Sequence, residues 1–145
     1  MTESESVLKA LRLATAAHSG QVDKAGEDYI KHPITVAESV STEEAQTAAL
    51  LHDVVEDTGL TLDDLRQAGF SEGVLGAVDA LTHREGESRE AYITRLAKKP
   101  LAVTVKLADL RHNSDLSRLT SPTEADYMRV ARYKGEIELL QRAHI

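Results

Sequence analysis

Cysteine is absent from the 145 residues, so the chain can build neither a disulfide framework nor a thiolate metal site. Any metal must be held by His, Asp, Glu or Asn. Tryptophan is missing too, and one Phe and four Tyr leave little aromatic surface on which to stack bases. Cations are outnumbered: 17 Lys and Arg against 24 Asp and Glu give a net charge of -7, which argues against general nucleic-acid binding through phosphate contacts. A small anionic ligand stays compatible if its charge meets a metal and a local basic patch. No apolar run approaches the ~18 residues of a membrane span, and the acidic start Met1-Thr2-Glu3-Ser4-Glu5-Ser6 is the opposite of a signal-peptide n-region. A soluble, cytoplasmic protein without a membrane partner is expected. The 41% of apolar residues suffices for a core, read as one domain over residues 1–145.

The pattern present is helical. Val7 to Ala17 carries apolar residues at helical spacing and stops at Ser19-Gly20, with His18 in the last turn, where the helix dipole favours it. A polar, Gly-bearing loop leads to Pro33, which suits the first position of a helix over Ile34 to Ser39 and leaves His32 just before it. Thr42, Thr61, Ser71 and Ser121-Pro122-Thr123 are helix starts, and Pro100 opens a helix that reaches Asn113. His83 to Ser88 reads as a charged, exposed and mobile connection before a helix over Arg89 to Lys98. In the last helix Tyr127, Val130, Ala131, Ile137, Leu139 and Leu140 read as packing residues. The fold class expected is all-α, a compact bundle of seven or eight helices with no convincing strand.

Chemistry concentrates in Leu50-Leu51-His52-Asp53-Val54-Val55-Glu56-Asp57, read as the end of one helix that runs from Thr42 to about Thr58-Gly59. At about 100° per residue, Leu50, Leu51, Val54 and Val55 share one arc, and His52, Asp53, Glu56 and Asp57 the opposite one. Such an arc is most often a wet acidic face. Here Ala49 and Ala45 precede it on the same side, which suits close packing, so partial burial is expected. Three carboxylates within about one turn repel one another, more so when desolvated, and a bound cation would relieve them. Asp109 stands among Leu107, Ala108 and Leu110 with Asn113 at i+4, a setting in which a carboxylate needs a cationic partner.

Three blocks then carry a resemblance: Ala17-His18-Ser19-Gly20-Gln21 through Lys24-Ala25-Gly26 to Tyr29-Ile30-Lys31-His32-Pro33; Ala49 to Thr58; and Lys106-Leu107-Ala108-Asp109 with His112-Asn113. Together, over roughly residues 10 to 119, the chain resembles the HD-domain metal-dependent phosphohydrolases, most closely the Rel/SpoT hydrolase domains and Mesh1-type small alarmone hydrolases. The resemblance implies a divalent ion, usually Mn²⁺, held by His32, His52, Asp53 and Asp109. It implies that Glu56 and Asp57 orient or deprotonate the attacking water. It places Asn113 near the substrate, although Asn113 could equally serve as a partner of Asp109.

Two departures bear on the substrate. Where alarmone hydrolases have Arg-Lys, this chain has Asp23-Lys24, so an acid replaces the Arg that lies against guanine in that family. Either Tyr29 and its apolar neighbours hold the base, with Asp23→Arg then improving KM, or Asp23 selects a different substrate. The family's Asp-Arg-Leu-His-Asn order is Asp109-Leu110-Arg111-His112-Asn113 here, turning the Arg by about 100° around the helix. Lys24, Lys106 and Arg111 are the candidate phosphate contacts. The implied activity is removal of pyrophosphate from the 3′ position of guanosine tetra- or pentaphosphate, with a small anionic nucleotide as partner. The alternatives are hydrolysis of another nucleotide or phosphorylated metabolite, and a metal-stabilised binding module without turnover.

Overall fold

The computed structural model describes residues 1–143, and it is all-α as expected. The helices are α1 (Glu3–Ala17), α2 (Lys31–Glu38), α3 (Glu43–Leu51), α4 (Val54–Asp57), α5 (Leu62–Gln67), α6 (Glu72–Leu81), α7 (Arg89–Leu96), α8 (Pro100–Asn113) and α9 (Glu124–Ala143). Among the described residues no strand forms, only one isolated antiparallel bridge between Val22 and Asp28 inside the α1–α2 loop. No helix there is long and apolar enough to cross a membrane.

Side-chain caps set most of the starts. Thr2, Thr42, Thr61, Ser71 and Ser88 each accept a hydrogen bond from a backbone N–H in the first turn, satisfying donors that a helix cannot satisfy itself. Thr61 and Asp64 form a reciprocal capping box. Pro100 occupies the first turn of α8, where its missing N–H is no loss. Gly20 takes φ +85°, a left-handed conformation that ends the turn after α1 without Cβ strain.

α3 is the hub. Ala45, Thr47, Ala48, Ala49, Leu50 and Leu51 are all buried on it, because α1, α2, α6 and α8 pack around it. Its small residues let α1 and α2 approach closely, and Ala10, Ala14, Val36 and Ala37 meet it from those helices. Val103, Val105 and Leu110 of α8 and Val74, Leu75 and Val78 of α6 belong to the same core. α9 lies on α8 and touches α7.

Three local expectations are corrected. The helix read as continuous from Thr42 is interrupted at His52–Asp53, where Asp53 sits at φ -101°, ψ -4°, and α4 is a separate single turn. Counted as the one helix that the sequence pattern suggests, α3 and α4 leave eight. Of the α9 packing set, Val130 and Leu140 are buried, but Tyr127, Ala131 and Leu139 are exposed, since α9 is covered along one narrow stripe only. The connection after α6 is fastened and partly turned inward: the Arg95 guanidinium donates to Glu87 and to the carbonyls of Asp79 and Thr82, capping the end of α6.

Candidate metal centre

The break at His52–Asp53 aims the site. His52 Nδ1 meets the carbonyl oxygen of Ala49, which can only accept, so Nδ1 carries a proton and Nε2 is the ring nitrogen that faces the site. That Nε2 is buried and has no hydrogen-bond partner. His32 lies in the first turn of α2, which starts at Lys31 and not after His32 as expected, and it places Nδ1 2.7 Å from Nδ1 of His112 on α8 and turns Nε2 to the same point. Burial and the neighbouring His32 ring lower the pKa of His112, so it stays neutral and can accept from His32 Nδ1–H.

Two carboxylates complete the arrangement. His32 Nε2 lies 2.8 Å from Asp109 Oδ1 and 3.9 Å from Asp53 Oδ2, and His52 Nε2 lies 3.0 Å from Asp53 Oδ2 and 3.4 Å from Asp109 Oδ1. Neighbouring ligands of an octahedral ion with bonds of about 2.1 Å stand about 3 Å apart. The ligand atoms of His32, His52 and Asp109 lie within 4.8 Å of one another. Two lone-pair nitrogens facing two carboxylate oxygens repel one another unless positive charge sits between them, and this donor set fits a divalent cation. The electrostatics show the same excess of negative charge: burial opposes protonation of His52, yet Asp53 and Asp109 outweigh it and push its pKa well above the usual, so that without an ion Nε2 would take up a proton in its place. Burial works against ionisation of Asp109, but Lys106, and then His32 and His52, hold its pKa well below the carboxylate range.

Around this cluster is a cavity of about 170 Å³. Tyr29 donates its hydroxyl to Asp53, Lys106 donates to Asp109 Oδ2 at 3.0 Å, and Asn113 donates to Asp109 Oδ1 at 3.2 Å. Glu56 and Asp57, carried by α4, line the open side. Burial, and then the charges of Asp53 and Glu56, raise the pKa of Asp57 and make it a better proton acceptor. A second cavity of about 420 Å³ adjoins the first through Tyr29, Asn113 and Tyr133, and it contains Asp23 and Lys24. Arg111 is exposed and lines neither cavity.

The fold brings here several groups to which sequence reasoning assigned no role in the site. Arg89 and His83 face the first cavity, and Arg89 is fixed by two hydrogen bonds to the buried Glu136 of α9, at 2.7 and 3.0 Å. His18 is buried, with its Nδ1 2.9 Å from Gln21 Oε1, while Gln21 donates to the Asp57 carbonyl. His18, Gln21 and His112 lie in the matching sequence blocks without a role assigned to them there, whereas no motif includes Arg89 or His83.

The HD domain is the family description that matches, over residues 10–113. A Mycobacterium leprae protein named probable GTP pyrophosphokinase is 35% identical over 129 residues, covering 80% of this chain and 16% of its own length. The bifunctional (p)ppGpp synthase/hydrolase SpoT of Escherichia coli K12 is 36% identical, with 92% and 21% covered. The guanosine-3′,5′-bis(diphosphate) 3′-pyrophosphohydrolase of Haemophilus influenzae is 37% identical, with 70% and 17% covered. The chain thus spans 21% or less of the length of these relatives. A solved structure, described as a metazoan ortholog of SpoT that hydrolyzes ppGpp and plays a role in starvation responses, superposes with a TM-score of 0.68 at 25% identity over 97% of both chains. The match spans the break that carries His52 and Asp53 and the helix that carries Asp109, and this chain belongs to the HD-domain family.

Proposed function

We propose that the chain is a metal-dependent phosphohydrolase that removes pyrophosphate from the 3′ position of guanosine tetra- or pentaphosphate, leaving GDP or GTP. The observation that carries this is the convergence of His32, His52, Asp53 and Asp109 on one point, with Glu56 and Asp57 on its open side. The names borne by the bacterial relatives and the metazoan structure point to the same substrate.

His32, His52, Asp53 and Asp109 would hold the ion, and a set of two imidazoles and two carboxylates suits Mn²⁺ or a similar divalent ion. A divalent ion there would lower the pKa of a bound water and screen phosphoryl charge. Asp57 and Glu56 accept the proton of the attacking water. Its oxygen bonds to phosphorus, the bond from phosphorus to the ribose 3′ oxygen breaks, and that oxygen takes up a proton. Lys106, anchored by Asp109, and Arg89, anchored by Glu136, keep fixed positive charge where the departing pyrophosphate sits.

Purified protein incubated with Mn²⁺ and guanosine 3′,5′-bis(diphosphate) should release pyrophosphate and GDP, resolved by anion-exchange chromatography, and chelation should stop the release. Equal release with and without chelator, or none in Mn²⁺, would contradict the proposal.

A further inference from the structure

The two adjoining cavities differ in chemistry. The first is crowded with carboxylates, imidazoles, Lys106 and Arg89, which suits phosphate. In the second, three carboxylates, Asp23, Asp115 and Asp126, offset three cations, Lys24, Arg118 and Arg129, and Leu116, Leu119 and Val130 supply apolar wall. A chamber whose charges cancel gives a polyphosphate little attraction and accepts a neutral planar ring.

Asp23 is not a free acid in this chamber. Its Oδ1 accepts the backbone N–H groups of Ala25 and Glu27, at 2.9 and 3.0 Å, and its Oδ2 accepts from Arg118 Nη1 at 3.0 Å. The pair joins the α1–α2 loop to the α8–α9 loop, with the Asp23 side chain 12% exposed and the Arg118 side chain 34%. Arg118 keeps guanidinium N–H groups without a hydrogen bond among the described residues, so one end is anchored while the partly exposed side chain lines the cavity. A guanidinium fixed in this way loses little freedom when it stacks on an aromatic ring.

We propose that Arg118 recognises the nucleobase in the second cavity and that Asp23 is its positioning residue. The proposal rests on the nucleotide reading of the site made above, although not on turnover. It reverses the expected effect of Asp23→Arg: a second guanidinium opposite Arg118 breaks the pair and weakens nucleotide binding instead of improving KM.

The test is calorimetric titration of the Mn²⁺-loaded full chain with guanosine 5′-diphosphate and with ribose 5-phosphate, which has no base. Arg118→Leu should weaken the nucleotide about tenfold, the scale of one cation-π contact with a base, and leave ribose 5-phosphate unchanged. Arg118→Lys, which keeps the charge, the partner and the fold, should also weaken the nucleotide several-fold because it lacks the planar face. Parental affinity in both variants, equal weakening of both ligands, or no nucleotide binding by the parent overturns the proposal. A parent that binds the nucleotide through Arg118 but fails to hydrolyse guanosine 3′,5′-bis(diphosphate) would sink the proposed function and leave this inference standing. Hydrolysis by the parent with Arg118 variants that bind normally would do the reverse.

Discussion

His52 Nε2 is buried 3.0 and 3.4 Å from two carboxylate oxygens, where a lone pair left without a partner would cost about 1–3 kcal/mol. A cation at that point would turn the cost into a bond and would let His52, Asp53 and Asp109 stand together in the core. Glu56 and Asp57 differ from them, because α4 carries both on the exposed side. Glu56→Gln and Asp57→Asn are therefore expected to retain metal, measured by elemental analysis, while pyrophosphate release falls about 10²-fold or more, the usual scale for a lost general base. Loss of metal in both variants would assign them to the ion instead. At this scale the sequence was legible wherever a residue type and its neighbours stated a role, as in His52-Asp53. It was silent on Arg118, because nothing local ties it to a residue 95 positions away.

Among the elements, the interruption between α3 and α4 matters most. An unbroken helix would keep φ and ψ near -63° and -42°, and Asp53 at -101° and -4° departs from that, so α4 starts as a separate turn while His52, Asp53, Glu56 and Asp57 still line one cavity. The alternation of apolar and charged positions gave no warning, since the pattern of a helix and of a helix with one relaxed residue is nearly the same. Caps were easier to read, because Thr42, Thr61 and Ser71 act within three residues of themselves. The link from α6 to α7 was not, because it is held by Arg95 from the far side of the loop. The hydrogen bond to Arg95 pulls the pKa of Glu87 down from 4.5 to about 2. A depressed carboxylate contributes stability that is fully present above its unfolded pKa and is lost as pH falls through its folded one. The gap in melting temperature between the parent and Glu87→Gln should therefore be constant above about pH 4.5 and should close toward pH 2. The absence of any gap across the whole pH range would show that Arg95 holds the loop through the carbonyls alone, and a gap that persists unchanged to pH 2 would show that the charge of Glu87 is not its source.

Taken whole, the molecule is a hub helix with its neighbours arranged so that α2, the α3–α4 break and α8 end at one place, while α9 closes over α8 and supplies Glu136 to steady Arg89. Helical periodicity without a strand signal made the all-α class legible. The burial of α9 was not, since an amphipathic pattern cannot tell how wide a stripe its neighbours cover, and Tyr127 and Leu139 ended in solvent. The account depends on one claim, that four residues drawn from three segments hold a single divalent ion. Calorimetric titration of metal-stripped protein with Mn²⁺ tests it directly, with Asp109→Ala beside the parent. The account predicts one ion per chain for the parent and an affinity at least about 100-fold weaker for the variant, beyond what loss of an outer hydrogen-bond partner alone would cause. Equal affinity and stoichiometry in the two proteins would contradict it.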